Sequence, residues 1–437
     1  MAFGGGTWLT QNKVLPGTYI SFVSAAAAYV NIADRGYACM GFNLDWGYTG
    51  DIFAVENGEF QTNSLKIFGY EYTHDKMKPL RDIFQNAKTV YCYRLNDSGA
   101  TKAKNILAEA KYPGIRGNDI KIVVAASVDD EELFEVSTYL NSTLVDMQTV
   151  KELAELKEND WIHWIKGATL TETAGMPLEG GTNGTDPTGL SHQTFLEKSE
   201  KYRFNSIGAA VIDEVTKQLY AEHTKRMRDE VGIKYQCILY NYEADYEGVI
   251  NVVNTCTDDG ENEASIVYWL VGANAGCAIN ASLTNKNYDG SFNIKTDYTQ
   301  TQLEQGMKAG HFMFHQVDDD IAVLSDINSF INWSIYKNED FYRNQVIRII
   351  DQVAMDVASL FNKRHLGKTR NNNPGRVALW VDITAHHQEL ERIEAIEDFD
   401  PKEVTVLEGT DKVSVVVNDR IKPVGVMEKL YMTVVVV

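Results

Sequence analysis

His311 and His315 stand four residues apart, just before the acidic run Asp318-Asp319-Asp320. On a helix this spacing would put two imidazoles on one face, the start of a metal site. The intervening Phe312-Met313-Phe314 reads instead as a strand, and the aspartates as the tip of a hairpin. His386 and His387, adjacent on an expected helix, point to different faces and do not share a metal. Ser191, His192 and Asp213 have the residue types of a hydrolytic triad, but no G-x-S-x-G turn presents the serine. The chain also lacks G-x-x-x-x-G-K-[ST], G-x-G-x-x-G and H-E-x-x-H. Its nearest approach to a phosphate loop, Gly114-Ile115-Arg116-Gly117-Asn118, precedes a strand, whereas phosphate cradles join a strand to a helix N-terminus. It reads as a turn. No catalytic residue, metal or cofactor is expected.

Charge is more informative. With 41 basic and 61 acidic residues the net charge is −20, which excludes a general nucleic-acid binder. Within this acidic chain Lys363, Arg364, Lys368, Arg370 and Arg376 fall in a stretch with no acidic residue. A helix C-terminus accounts for Lys363 and Arg364 through the helix dipole. The loop residues Lys368 and Arg370 point instead to a docking patch for an acidic partner. The acid-rich stretch 389–403 provides a patch of opposite sign that could steer subunits or partners together.

At 437 residues the chain has room for two to four domains. Five cysteines without a C-x-x-C pair suggest reduced thiols. The N-terminus has no basic-then-apolar leader, so cytoplasmic synthesis is expected. The most apolar window, 264–281, is too short to span a bilayer and is broken by Gly272, Asn274 and Gly276; it reads as a buried helix.

Strands are expected at 18–23 and 89–94, with a helix near 74–86. Strands at 120–124, 133–140 and 144–148 and a short helix at 149–156 follow, closed by the loop 180–187. Helices at 212–230, 262–279 and 299–309 alternate with strands at 234–241 and 249–254. A hairpin, 311–317 with 321–325, comes next. Helix 340–364 carries Val346, Ile349, Ile350, Val353, Val357 and Leu360 at helical spacing, and Pro374 opens a second helix. Strands at 404–407, 412–418 and 427–437 end the chain.

The two ends are unusual. Leu430, Tyr431, Met432, Thr433, Val434 and Val435 form a β-prone apolar run without charge. An uncovered edge of this kind invites pairing with another chain. Near the start, Gly4-Gly5-Gly6 precedes Thr7, Trp8, Leu9, Val14 and Tyr19, again extended-leaning residues. Together they suggest strand exchange between copies of the chain.

Four segments in register carry a family resemblance: Gly5-Gly6-Thr7-Trp8 with Pro16-Gly17-Thr18-Tyr19; Tyr112-Pro113-Gly114-Ile115-Arg116-Gly117-Asn118-Asp119; Gly248-Val249-Ile250-Asn251-Val252-Val253-Asn254; and Met427-Glu428-Lys429-Leu430-Tyr431. The chain resembles contractile phage tail sheath proteins, of the type found in Gram-positive myophages, defective prophages and phage-tail-like bacteriocins.

The resemblance implies a mixed α/β multi-domain fold. An N-terminal arm (1–20) precedes a central α/β domain (21–95 and 187–330), which carries an inserted, outward-facing β domain of sandwich type (96–186). An inner α+β domain (331–426) and a strand-donating arm (427–437) follow. It further implies stacked hexameric rings around a tail tube, linked by Thr7, Trp8, Leu9, Val14, Tyr19 and Leu430–Val435. The basic residues Lys363, Arg364, Lys368, Arg370 and Arg376 become candidates to face the tube. Expected partners are the chain itself, tube, baseplate and tail terminator proteins, with no nucleic acid and no membrane insertion. The alternatives are another self-assembling lattice or capsid subunit and an α/β hydrolase using Ser191, His192 and Asp213.

Overall fold

The computed structural model describes residues 34–128, 130 and 132–436. The expected strand at 18–23 lies outside them. The described residues divide into two compact units: residues 35–347 with 428–436, and residue 34 with 348–427.

The first unit is built on a seven-stranded sheet. Its spatial order is His311–Phe312, Val249–Val252, Gln236–Tyr240, Ser206–Ala209, Tyr37–Phe42, Thr89–Arg94 and Phe53–Glu56. Neighbouring strands are parallel except for the last, antiparallel pair. Alternate side chains feed two cores. Ala38, Met40, Ile238 and Ile250 point to one, packed with Leu80, Ile83 and the helix Ile266–Gly276. Cys39, Ile207, Cys237 and Leu239 point to the other, with Phe195 of helix Gly189–Ser199 and Tyr220 of helix Glu214–Arg226. A parallel sheet covered on both faces follows from strands that are apolar in both directions.

The apolar window is the buried helix expected, and its glycines have a packing reason. A Cβ on Gly272 would lie 2.1 Å from the Ile83 carbonyl oxygen, and one on Gly276 would lie 2.0 Å from that of Asn86. Only glycine lets this helix approach the end of helix Lys78–Phe84 so closely.

Between strand Thr89–Arg94 and helix Gly189–Ser199 the chain builds a separate β arrangement. Thr143–Val150, Phe134–Leu140, Ile120–Ala126 and Thr173–Pro177 make a four-stranded antiparallel sheet, and Ala108–Ala110 pairs with Ile162–Trp164. Ile120, Ile122, Val124, Val136 and Trp161 fill its core. The helix expected at 149–156 is absent: Val150 ends a strand opposite Phe134, and only a single turn, Leu153–Glu155, follows. Strand pairing across the sheet outweighs local helical preference here.

The hairpin near 311–325 is present but divided. His311–Phe312 joins the large sheet, while Phe314–Val317 pairs with Asp320–Val323 around Asp318, which takes φ 53°. Asp320 is therefore a strand residue rather than a turn residue. Val215, in the first turn of helix Glu214–Arg226, is 72% exposed.

The second unit contains most of helix Asn344–Leu360, the helix Asn373–Arg392 and a two-stranded antiparallel sheet of Thr405–Glu408 and Val415–Asn418. The first of these helices starts four residues later than the spacing predicts, because Glu339–Tyr342 is a separate tight turn. Pro374 lies in the first turn of the second helix as expected, with Asn372 capping its N-terminus. Leu360, Leu379, Ile383 and Val404 form a small core.

Candidate assembly site

The carboxy-terminal segment starts from a polar anchor. Glu428 Oε2 accepts a hydrogen bond from Arg343 Nη1 at 2.7 Å, and Oε1 accepts from Thr284 Oγ1 at 2.8 Å. Burial pulls the Arg343 pKa down, but the hydrogen bond and negative charge of Glu428 outweigh it and raise the pKa above the usual value. The ion pair is largely removed from solvent on the Glu428 side, where it is stronger than an exposed pair.

Beyond this anchor the segment leaves the surface. Leu430 is 85% exposed and Tyr431 89%, and Met432, Val434, Val435 and Val436 are exposed as well. Residues 427–436, expected as a strand, join no sheet among the described residues. An apolar run this exposed is unusual for a segment with no partner chain. Thr7, Trp8, Leu9, Val14 and Tyr19 lie outside the described residues.

In the second unit, the Thr405–Glu408 and Val415–Asn418 hairpin is a sheet of only two strands, so each strand has an outer edge without a ladder partner among the described residues. Leu407, Val413 and Val416 are exposed on it.

The basic stretch is less uniformly free than its sequence suggests. Arg364 Nη1 binds Asp382 Oδ1 at 2.7 Å, and Arg376 Nη1 lies 3.6 Å from Glu408 Oε2. Acids from the following helix and the hairpin thus reach back to neutralise these two. Lys368 Nζ donates to the Lys363 carbonyl at 2.6 Å, closing the helix end. Lys363, Lys368 and Arg370 remain exposed cations around this turn.

The residues weighed for catalysis have structural roles. Ser191 Oγ accepts from the Thr188 amide in a capping box, and Asp213 caps helix Glu214–Arg226 by accepting from the Thr216 amide at 2.8 Å. His192 Nδ1 contacts the Tyr220 hydroxyl at 3.0 Å, and burial lowers its pKa to about 4. His311 lies against Glu243. No group of three or more His, Cys, Asp or Glu side chains suited to a metal occurs among the described residues. No helix among them is long and apolar enough to cross a membrane. His386 and His387 differ from expectation: their rings touch rather than diverge.

Four family domains cover the chain in order. Residues 35–95 match the tail sheath protein Gp18 domain III N-terminal region, 95–183 the phage tail sheath protein beta-sandwich domain, 185–329 the phage tail sheath protein central domain and 336–437 the phage tail sheath C-terminal domain. The crystal structure of a sheath tail protein from Desulfitobacterium hafniense is 34% identical, with a TM-score of 0.81 over 95% of this chain and 99% of that one. The chain belongs to the phage tail sheath proteins. A sheath tail protein from Listeria innocua is 30% identical, with a TM-score of 0.79 over 93% of this chain and 96% of that one. The phage-like element PBSX protein XkdK of Bacillus subtilis (strain 168) is 29% identical over 98% of this chain and 99% of its own length. The contracted helical sheath of the anti-feeding prophage, at 11% identity and TM-score 0.58 over 97% of this chain and 99% of that one, shares the fold. The protein is a structural component of a contractile tail sheath, in a phage or tail-like particle, and not an enzyme.

Proposed function

We propose that copies of this chain stack as hexameric rings around a tail tube, joined by exchanged terminal strands, and shorten together to drive the tube through a target envelope. The observation that carries this reading is the carboxy-terminal segment, anchored at Glu428 yet exposed from Leu430 to Val436. A neighbouring copy's Thr405–Glu408 and Val415–Asn418 hairpin offers a fitting acceptor, since strand addition satisfies main-chain groups on both sides. The arm residues Thr7, Trp8, Leu9, Val14 and Tyr19 would supply a second strand. The division into arm (1–20), central domain (21–95 and 187–330), outward β insertion (96–186), inner domain (331–426) and second arm (427–437) belongs to this reading. So does the assignment of Lys363, Arg364, Lys368, Arg370 and Arg376 to an acidic tube surface, although Asp382 and Glu408 already pair with Arg364 and Arg376. Baseplate and terminator proteins would close the two ends, with assembly in the bacterial cytoplasm before release. Lacking a nucleotide-binding loop, the array would draw its work from a metastable extended state. Deleting Leu430–Val437 tests the core of this reading. The expected product is a folded subunit that forms no tubes by negative-stain microscopy; normal striated tubes would overturn strand exchange.

A further inference from the structure

Helix Asn373–Arg392 buries two adjacent histidines completely. The Nδ1 atoms of His386 and His387 lie 3.1 Å apart, and the ring planes meet at 61°. Each ring turns its Nε2 to a different carboxylate. His386 contacts Asp356 Oδ2 on helix Asn344–Leu360 at 3.1 Å, and His387 contacts Asp419 Oδ2 at 2.7 Å. Gln352 Nε2 donates to the same Asp356 oxygen at 2.9 Å, and Phe399 packs edge-on against His387. Among the described residues, the groups facing the two rings are Asp356 and Gln352 from one helix, Asp419 from the residue after strand Val415–Asn418, and Phe399 from the connection between.

Proton counting restricts this line of four groups. Each ionised carboxylate takes an Nε2–H, and the facing Nδ1 atoms bond only when one of them carries a proton. The complete chain therefore needs three N–H groups on two rings, one imidazolium beside one neutral imidazole. A further proton sets N–H against N–H and puts two cations side by side in a buried space. Removing the shared proton sets two lone pairs against each other. Imidazole is the side chain whose ordinary titration falls near neutral pH.

We propose that Asp356, His386, His387 and Asp419 form a pH-responsive latch on the Thr405–Asn418 hairpin. It is closed while the histidine pair holds one shared proton and opens when a second is taken up or the first is lost. The latch pins the end of strand Val415–Asn418. The connector beyond it is held separately, by Glu397 N to Lys422 O at 2.9 Å and Val424 N to Ala395 O at 3.0 Å. Opening therefore loosens the hairpin without detaching the root of the terminal segment. The consequence for assembly rests on the strand-exchange reading; the latch itself does not.

Hydrogen exchange of the unassembled full-length subunit at the Val415–Asn418 amides, corrected for intrinsic rates, tests the latch. Protection is expected to pass through a maximum as pH is varied and to fall about tenfold on both sides of it, the scale of one charge-assisted hydrogen bond. A profile independent of pH would overturn the proposal. Asp419→Asn keeps an acceptor but removes a charge, and is expected to move the protected range to lower pH; an unmoved range would overturn it. Nitrogen NMR of the histidine-labelled wild type gives a check that needs no variant. One shared Nδ1 proton is expected at the pH of greatest protection, and two or none there would count against the latch. Bell-shaped protection together with tube formation independent of pH would support the latch while removing the hairpin from the strand-exchange reading.

Discussion

Arg94 is fully buried and donates from Nη1 to the Pro113 carbonyl at 2.6 Å. That contact gives a physical role to the turn Tyr112–Asp119, which reads from the sequence as a turn and as one of the segments carrying the family resemblance. Arg116 Nε donates to the Gly69 carbonyl at 2.6 Å, its guanidinium covers the Tyr70 ring, and Asn118 binds Gly181. The turn is the rivet that holds the β insertion to the large sheet. Its partners are far away in sequence, so no local pattern announces them. Gly114 takes φ 136°, and a Cβ there would sit 2.0 Å from the Asp45 carbonyl oxygen. Gly114→Ala is expected to lose about 2–4 kcal/mol in denaturant unfolding of the unassembled subunit, from backbone strain plus a steric clash. Asp82 offers a pH test at the same scale. Burial raises its pKa to about 6, against hydrogen bonds from Ser291 that lower it. A carboxyl raised in the folded state binds protons more readily there than in the unfolded chain. Its contribution to stability therefore falls as pH rises from about 4 to about 6. Asp82→Asn retains the acceptor for the Ser291 amide and is expected to gain about 1–2 kcal/mol above pH 6 but nothing below pH 4. Melting curves across that range check the sign.

Among elements, those with a clear period or a clear cap were legible, and those without were not. Helix Gln300–Lys308 follows its Thr299 capping box, and helix Asn344–Leu360 its apolar stripe. Strand Tyr37–Phe42 gave no signal, because it is buried on both faces at the centre of a parallel sheet and does not alternate. Helix Gly189–Ser199 was missed although Thr188 and Ser191 form a capping box at its start; the serine stands where Glu or Gln is the usual sign. The terminal segment was legible as β-prone, while its lack of a ladder among the described residues follows from no local pattern. That lack makes a proline scan decisive. In an added strand, successive N–H groups point to opposite sides, so only alternate ones bond to one acceptor edge. Met432→Pro and Thr433→Pro are therefore expected to differ, one blocking tube formation and the other weakening it. Neither should move monomer melting beyond about 0.5 kcal/mol, as expected for an exposed site. Light scattering and microscopy give the first readout and calorimetry the second. Equal, unimpaired assembly of both variants would exclude a strand at this position.

At the scale of the whole molecule, charge sets two opposed expectations. A net charge of −20 makes copies of the chain repel one another. Added salt screens that repulsion, with a Debye length of about 8 Å at physiological ionic strength. Tube formation by the sheath protein alone is therefore expected to strengthen with salt. Docking on an acidic tube, as proposed, relies on attraction through Lys363, Lys368 and Arg370, and the same salt should weaken it. Asp382 and Glu408 already occupy Arg364 and Arg376, so reversal of the exposed cations is the sharper test. Lys368→Glu with Arg370→Glu is expected to leave self-assembly intact and lower the extended sheath's affinity for tubes about tenfold. Each exposed pair contributes up to about 1 kcal/mol, and reversal replaces an attraction with a repulsion. Co-sedimentation with preformed tubes over a salt series separates the two effects. If the double variant binds tubes as the wild type does, and with the same salt slope, the acidic partner of this stretch must be sought on another surface.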